Sequence, residues 1–393
     1  MIKNATKFAL CLLALFVALG DIDKLIGNAY VVGPAHVLAA LFVILHMLLH
    51  IKDVSVLVSF QSCVLFLLII ILALAQLNYG ASTYSISVIN YKLVICVVFF
   101  LVLSRHFSRY PSHIYSALSA FSLGCVLLGL GALLFTGVGE MYKGQLIVLG
   151  ENPNSTSSRM AVGFVFILSC FLHGKPSRVQ LMVTGIALSV LMIVIVKSGS
   201  RGSLLAVLVS SILLAFLAPM KKHYKLVVLL LMCAGIIFLG KSLLTIDGIA
   251  ERWAGALQGD TAGRSKIWGS ALEIFVENPW IGVGEGGYFT EIYSKEYRFI
   301  DAHNLFIYVL VSSGLIGFLV FTVFLTWLTR NSIASLRNGE ALQFVLLFNI
   351  LLISAKTGGA LTYLLLWFVL SMVSVKGLKM FEGVIVSRDA KHM

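Results

Sequence analysis

Arg201, Arg264 and His303 lie far apart in the chain, and their types suit chemistry at a phosphate ester. Arg201 sits in Lys197-Ser198-Gly199-Ser200-Arg201-Gly202-Ser203, a tight turn between two apolar stretches. Ser203 is placed to cap the following helix, whose free amides and the guanidinium together make an anion site. A snorkelling interfacial arginine is the plainer reading of the same turn. Arg264 falls on a helix expected from about Ala262 to Val276, with Thr261 as cap and Asn278-Pro279 as stop. On that helix Arg264, Ile267, Trp268, Ala271 and Phe275 share one face, while Glu273 and Glu277 point elsewhere. The alternative for Arg264 is an ion pair with Asp260 or Glu285.

His303 stands in Asp301-Ala302-His303-Asn304, at the mouth of a long apolar segment. A helix N-terminus and nearby arginines both disfavour an imidazolium and keep the ring neutral, the state a general base needs. Its alternative is a hydrogen-bonded interfacial histidine. Two cations and a neutral base suit a pyrophosphate leaving group and a hydroxyl nucleophile. The external acids show no DxD or paired spacing, so metal-independent chemistry without a cofactor is expected. Tyr288, Tyr293 and Tyr297, with Trp268 and Trp280, are of the type that stacks on sugar rings or forms an interfacial belt. Arg159 and Asn304 complete the candidate sugar or acceptor contacts. The run Gly282 to Gly287 has no βαβ context for a dinucleotide and reads as a tight turn. No CxxC spacing joins any of the six cysteines.

The elements that must position these residues are membrane spans. The chain is 59% hydrophobic and 12% charged, with a mean hydropathy of +0.99, which excludes a soluble domain, a disordered chain and a disulfide scaffold. Windows long enough for a bilayer predict an all-α polytopic protein with about twelve spans. They lie near Thr6 to Gly20, Val31 to Leu49, Val54 to Leu77, Ser85 to Leu103, Ile114 to Thr136 and Met160 to Leu172. Six more lie near Val179 to Val196, Ser203 to Leu217, Leu226 to Leu239, Asn304 to Leu328, Ala341 to Ser354 and Gly358 to Val375. Residues 1–20 also have the look of a secretory signal but read as a retained first span. With both termini inside, sixteen of the 29 basic residues and only four acids face the cytoplasm, so that side carries the whole net charge of +12. A basic balance of this origin implies no nucleic-acid partner. No repeat recurs, so residues 1–393 form one membrane domain, with a large external loop at 240–302 between spans nine and ten. Other polar external segments are Asn78 to Asn90 and Gly137 to Arg159.

Ser200-Arg201-Gly202-Ser203, Gly263-Arg264-Ser265 with Trp268, Asn278-Pro279-Trp280-Ile281-Gly282-Val283-Gly284 and Ala302-His303-Asn304-Leu305-Phe306 follow one another around that loop. In this order they resemble the O-antigen ligase and polymerase superfamily, as does Asn152-Pro153-Asn154. The resemblance covers chiefly residues 150 to 325. It implies a GT-C-like glycosyltransferase of the bacterial inner membrane, with its active site in the periplasm. Its donor would be a glycan on undecaprenyl pyrophosphate and its acceptor a sugar of the lipid A core, both reached from among the membrane lipids. It further implies that His303 is the base and that Arg201 and Arg264 bind pyrophosphate. A polymerase using the same donor is the enzymatic alternative, and a twelve-span secondary transporter the alternative of another class.

Overall fold

The computed structural model describes residues 2–20, 34–49, 59–79, 83–174, 177–218, 225, 263–356 and 361–378. The expected ninth span, Leu226 to Leu239, lies outside them, as does the loop from Gly240 to Ala262 with Asp260 and Thr261.

Thirteen helices are formed among the described residues. They are α1 (Ile2–Leu19), α2 (Pro34–Leu49), α3 (Phe60–Tyr79), α4 (Thr83–Arg109), α5 (Ser112–Leu134), α6 (Pro153–His173), α7 (Arg178–Lys197) and α8 (Arg201–Leu217). After the undescribed stretch come α9 (Arg264–Glu277), α10 (Gly284–Glu296), α11 (Leu305–Arg337), α12 (Leu342–Ser354) and α13 (Leu364–Val373). The protein is an all-α membrane protein, apart from one hairpin. In it β1 (Gly139–Tyr142) pairs antiparallel with β2 (Gln145–Val148) inside the segment expected to be loop. By length and composition, α3, α5, α6, α7 and α11 can each cross a bilayer, and five shorter apolar helices accompany them.

The helices pack around α13, in which every residue is buried. Trp367 is wedged there between Phe100 of α4 and Phe324 of α11, ring centres 5.7 and 6.3 Å away. At the periphery the apolar residues face outward: Val179, Met182, Val183 and Ile186 of α7 are exposed, as are Leu67, Ile70 and Leu74 of α3. Such a surface is stable only against lipid. Between helices, polar side chains satisfy one another or the backbone. Asn349 Nδ2 donates to Ser210 Oγ at 3.0 Å, linking α12 to α8, and Gln343 Nε2 donates to Met372 O at 2.6 Å.

Two expectations need correction. The sixth helix starts at Pro153, seven residues before Met160, because Asn152 caps it by accepting from Asn154 N at 2.9 Å and proline occupies its first turn. Arg159 therefore lies within a helix, and its charge is matched by Glu151. The other concerns α8, which begins at Arg201 behind Ser200 with no side-chain cap. The Ser203 hydroxyl bonds to those of Ser157 and Ser200 at 2.9 and 3.2 Å.

Candidate active site

Helix α9 ends at Asn278, before Pro279, as its sequence requires. Ile267, Ala271 and Ile274 form its buried face, and Glu273 and Glu277 stay exposed beside Lys295. Half-buried Trp268 donates from Nε1 to Ala302 O at 2.8 Å, which clasps α9 to the loop carrying His303. Arg264 lies one turn before Trp268, half-buried in the first turn of α9. Helix α10 opens at Gly284, so the glycine run expected as a turn alone leads straight into a helix. Gly282 and Gly284 both take positive φ, and a β-carbon on either would overlap the backbone or side chain of α11 or Gln76.

The loop from Asp301 to Asn304 is tightly defined. His303 adopts φ 50°, a left-handed conformation unusual for a residue with a β-carbon, and its amide donates to Asp301 Oδ1 at 3.2 Å. Its Nδ1 is buried with no hydrogen-bond partner. Asn304 is the N-cap of α11, and its Oδ1 accepts from Phe306 N and Ile307 N at 3.0 and 3.2 Å.

Two sets of contacts surround Arg264 and Arg201. Lys356, just beyond α12, holds its Nζ 5.8 Å from the centre of the Trp268 ring. The Tyr363 hydroxyl, before α13, donates to Ser155 O at 3.4 Å in the first turn of α6. Ser157 there meets Ser203 in the first turn of α8, where Arg201 is half-buried. Trp268 thus ties the helix of Arg264 to the His303 loop, and the Ser157–Ser203 contact sets Arg201 beside the start of α6. The remaining candidates have different surroundings. Arg159 is fully buried in a two-pronged pair with Glu151, and a β-carbon on Gly20 at the end of α1 would strike its guanidinium. Trp280 is exposed, and Tyr293 is exposed with its ring stacked on Phe299, centres 4.5 Å apart. Tyr288 is wholly buried, its hydroxyl unpartnered and pushed up by burial.

Glu285, expected as a possible ion-pair partner of Arg264, is instead part of a buried polar group with Tyr308. Glu285 is 1% exposed; its Oε1 accepts from the Tyr308 hydroxyl at 3.1 Å and its Oε2 has no partner. Burial pushes this carboxyl up to about 7, against the lowering effect of the Tyr308 hydrogen bond. Farther along α10, Lys266 and Ser270 donate to Glu296 at 2.8 and 2.7 Å and hold it below the usual carboxylate range. Gln76, near the end of α3, is buried against the start of α10. Among the described residues, no three His, Cys, Asp or Glu side chains are grouped to hold a metal ion.

Residues 184–322 match the family model described as O-antigen ligase. This segment is similar to O-antigen ligases. It runs from α7 into α11 and contains Arg201, Arg264 and His303. The matched segment lies in a chain with several helices apolar enough to cross a membrane, and the family described is one of O-antigen ligases. No curated protein matches the chain.

Proposed function

We propose that the protein is an O-antigen ligase that moves a glycan from undecaprenyl pyrophosphate to a hydroxyl of a lipid A core sugar. The reaction is a direct displacement at the outer face of the inner membrane. His303 takes the proton of the acceptor hydroxyl, and the acceptor oxygen bonds to the anomeric carbon. The bond from that carbon to the pyrophosphate breaks, and the diphosphate leaves with the electron pair. Arg201 and Arg264 neutralise its growing charge. The observation that carries this reading is the His303 loop, whose half-buried imidazole is clasped through Trp268 to the helix of Arg264. A neutral imidazole can take a hydroxyl proton through whichever ring nitrogen carries none.

The test is single-turnover transfer and donor binding in purified proteoliposomes. Replacing His303 by Ala or Gln should lower transfer roughly 10²- to 10⁴-fold while donor affinity stays near wild type. Arg201→Lys and Arg264→Lys should each cost about tenfold or more, since an ammonium cannot fork onto two phosphate oxygens. Lost donor binding with normal turnover of the bound fraction in His303→Ala would make the histidine a binding residue only. A family polymerase uses the same donor, and gel analysis of lipopolysaccharide from a deletion strain separates the two. Loss of a ligase leaves long chains on the carrier; loss of a polymerase leaves single repeats on the core.

A further inference from the structure

Three elements converge behind the His303 loop. Gln76, near the end of α3, accepts through Oε1 from Gly286 N at 2.6 Å and Gly287 N at 3.4 Å, so another helix caps the first turn of α10. That fixes Glu285 on the same turn. Tyr308, whose amide donates to Asn304 O at 2.9 Å, then reaches down from α11 to give its hydroxyl to Glu285 Oε1. The Tyr288 ring packs edge-on against Tyr308, centres 5.0 Å apart.

We propose that Glu285, acting through Tyr308, is a positioning residue that holds the Asp301 to Asn304 loop, and with it His303, in the geometry for proton abstraction. This rests on the assignment of His303 as the base. The left-handed backbone of His303 persists only where its surroundings over-determine it. Its ties are the Asp301 carboxylate, the clasp from Trp268 to Ala302, and the first turn of α11 anchored by Tyr308 on Glu285. A carboxylate can only accept, which commits the Tyr308 hydroxyl as donor and fixes its ring. A protonated carboxyl is itself a donor, and the tyrosine hydroxyl is then released to turn. The groups around Glu285 are Tyr308 from α11, Cys96 from α4, the Gln76 amide from α3 and Tyr288 on its own helix, with Lys92 of α4 acting on Cys96. None of these is a cation against the carboxyl, and burial accordingly places its titration at about 7. Above that pH the anchor is set; as pH falls through it, Glu285 takes a proton and the hold on the loop slackens.

The experiment measures kcat and KM for donor between pH 6 and 8 in proteoliposomes of wild type, Glu285→Gln, Tyr308→Phe and the double variant, with His303→Ala as reference. Glutamine keeps the shape and the acceptor but removes the charge. Each single variant should lower kcat roughly tenfold with KM unchanged. The double should be no worse than either single, because both remove one coupling. The fall in kcat with falling pH should lose its Glu285 component in both, leaving only the single-proton fall that a histidine base produces. Wild-type kcat and an unchanged pH profile in Glu285→Gln, or single effects that multiply in the double, would overturn the proposal. If Glu285→Gln is not recovered folded, Tyr308→Phe, which leaves the carboxyl in place, decides by the same two criteria. Absence of transfer by wild type, or a fully active His303→Ala, would instead sink the assignment of the base and leave a distinct signature.

Discussion

A guanidinium paired with one carboxylate and pressed against the end of another helix cannot reach a sugar, and Arg159 is in that position. Its value is to the fold. Removing it leaves Glu151 buried and unpaired, a change that costs about 3–5 kcal/mol when one partner of such a pair is lost. Arg159→Met should therefore lower the thermal midpoint in detergent by several degrees, and adding Glu151→Gln should recover much of the loss; a variant as stable as wild type would place the pair in water. The helix start at Asn152-Pro153 was legible, since asparagine before proline is a capping pattern, but the charge of Arg159 was read as a boundary. Asn304 as a cap and His303 at the mouth of α11 were legible in the same way, from local pattern. Glu285 with Tyr308 was not, because its partner stands 23 residues away, and Gln76 stands 210 residues from the amide it accepts from. No local spacing carries such pairs.

Between α9 and α10 the backbone crosses α11 at close quarters. Gly314 takes φ 61° and ψ −169°, interrupting α11, and there Leu315 N and Ile316 N donate to Pro279 O and Trp280 O at 2.8 and 3.1 Å. A β-carbon on Gly314 would come within 2.4 Å of the Trp280 carbonyl. Gly314→Ala should thus both clash and force an unfavoured φ, reducing recovery of monodisperse protein and, in what is recovered, transfer. Ala at Gly269, where a β-carbon meets open space, is the matched control and should behave as wild type. The glycine run was legible as a place of special backbone geometry. That its use is to bring α10 against α3 and α11 was not, since the sequence contains the permission for close approach but not the partner.

At the scale of the whole molecule, hydropathy carried the architecture: a helix occupies eleven of the twelve expected windows, and the twelfth lies outside the described residues. Lengths were less legible, because charges at helix ends were treated as limits while α11 runs on past Leu328 to Arg337. The positive-inside rule expects Arg105, Arg109, Arg330 and Arg337 on the cytoplasmic side, and labelling tests that orientation. In a background without native cysteines, Tyr297→Cys should react with a membrane-impermeant maleimide in intact spheroplasts, and Arg337→Cys only after permeabilisation. The reverse pattern would invert the protein and move His303 to the cytoplasm. The clasp joins Trp268 to Ala302, 34 positions apart, and closes the intervening chain at its own neck. Trp280, Tyr293, Tyr297 and Phe299 lie exposed along that stretch, while Arg264 and His303 stand just outside its two ends. The exposed aromatics are thereby mechanically separate from the two ends: substitutions at Trp280 or Tyr293 should leave the spacing of Arg264 and His303 undisturbed, provided the tryptophan that closes the neck is kept.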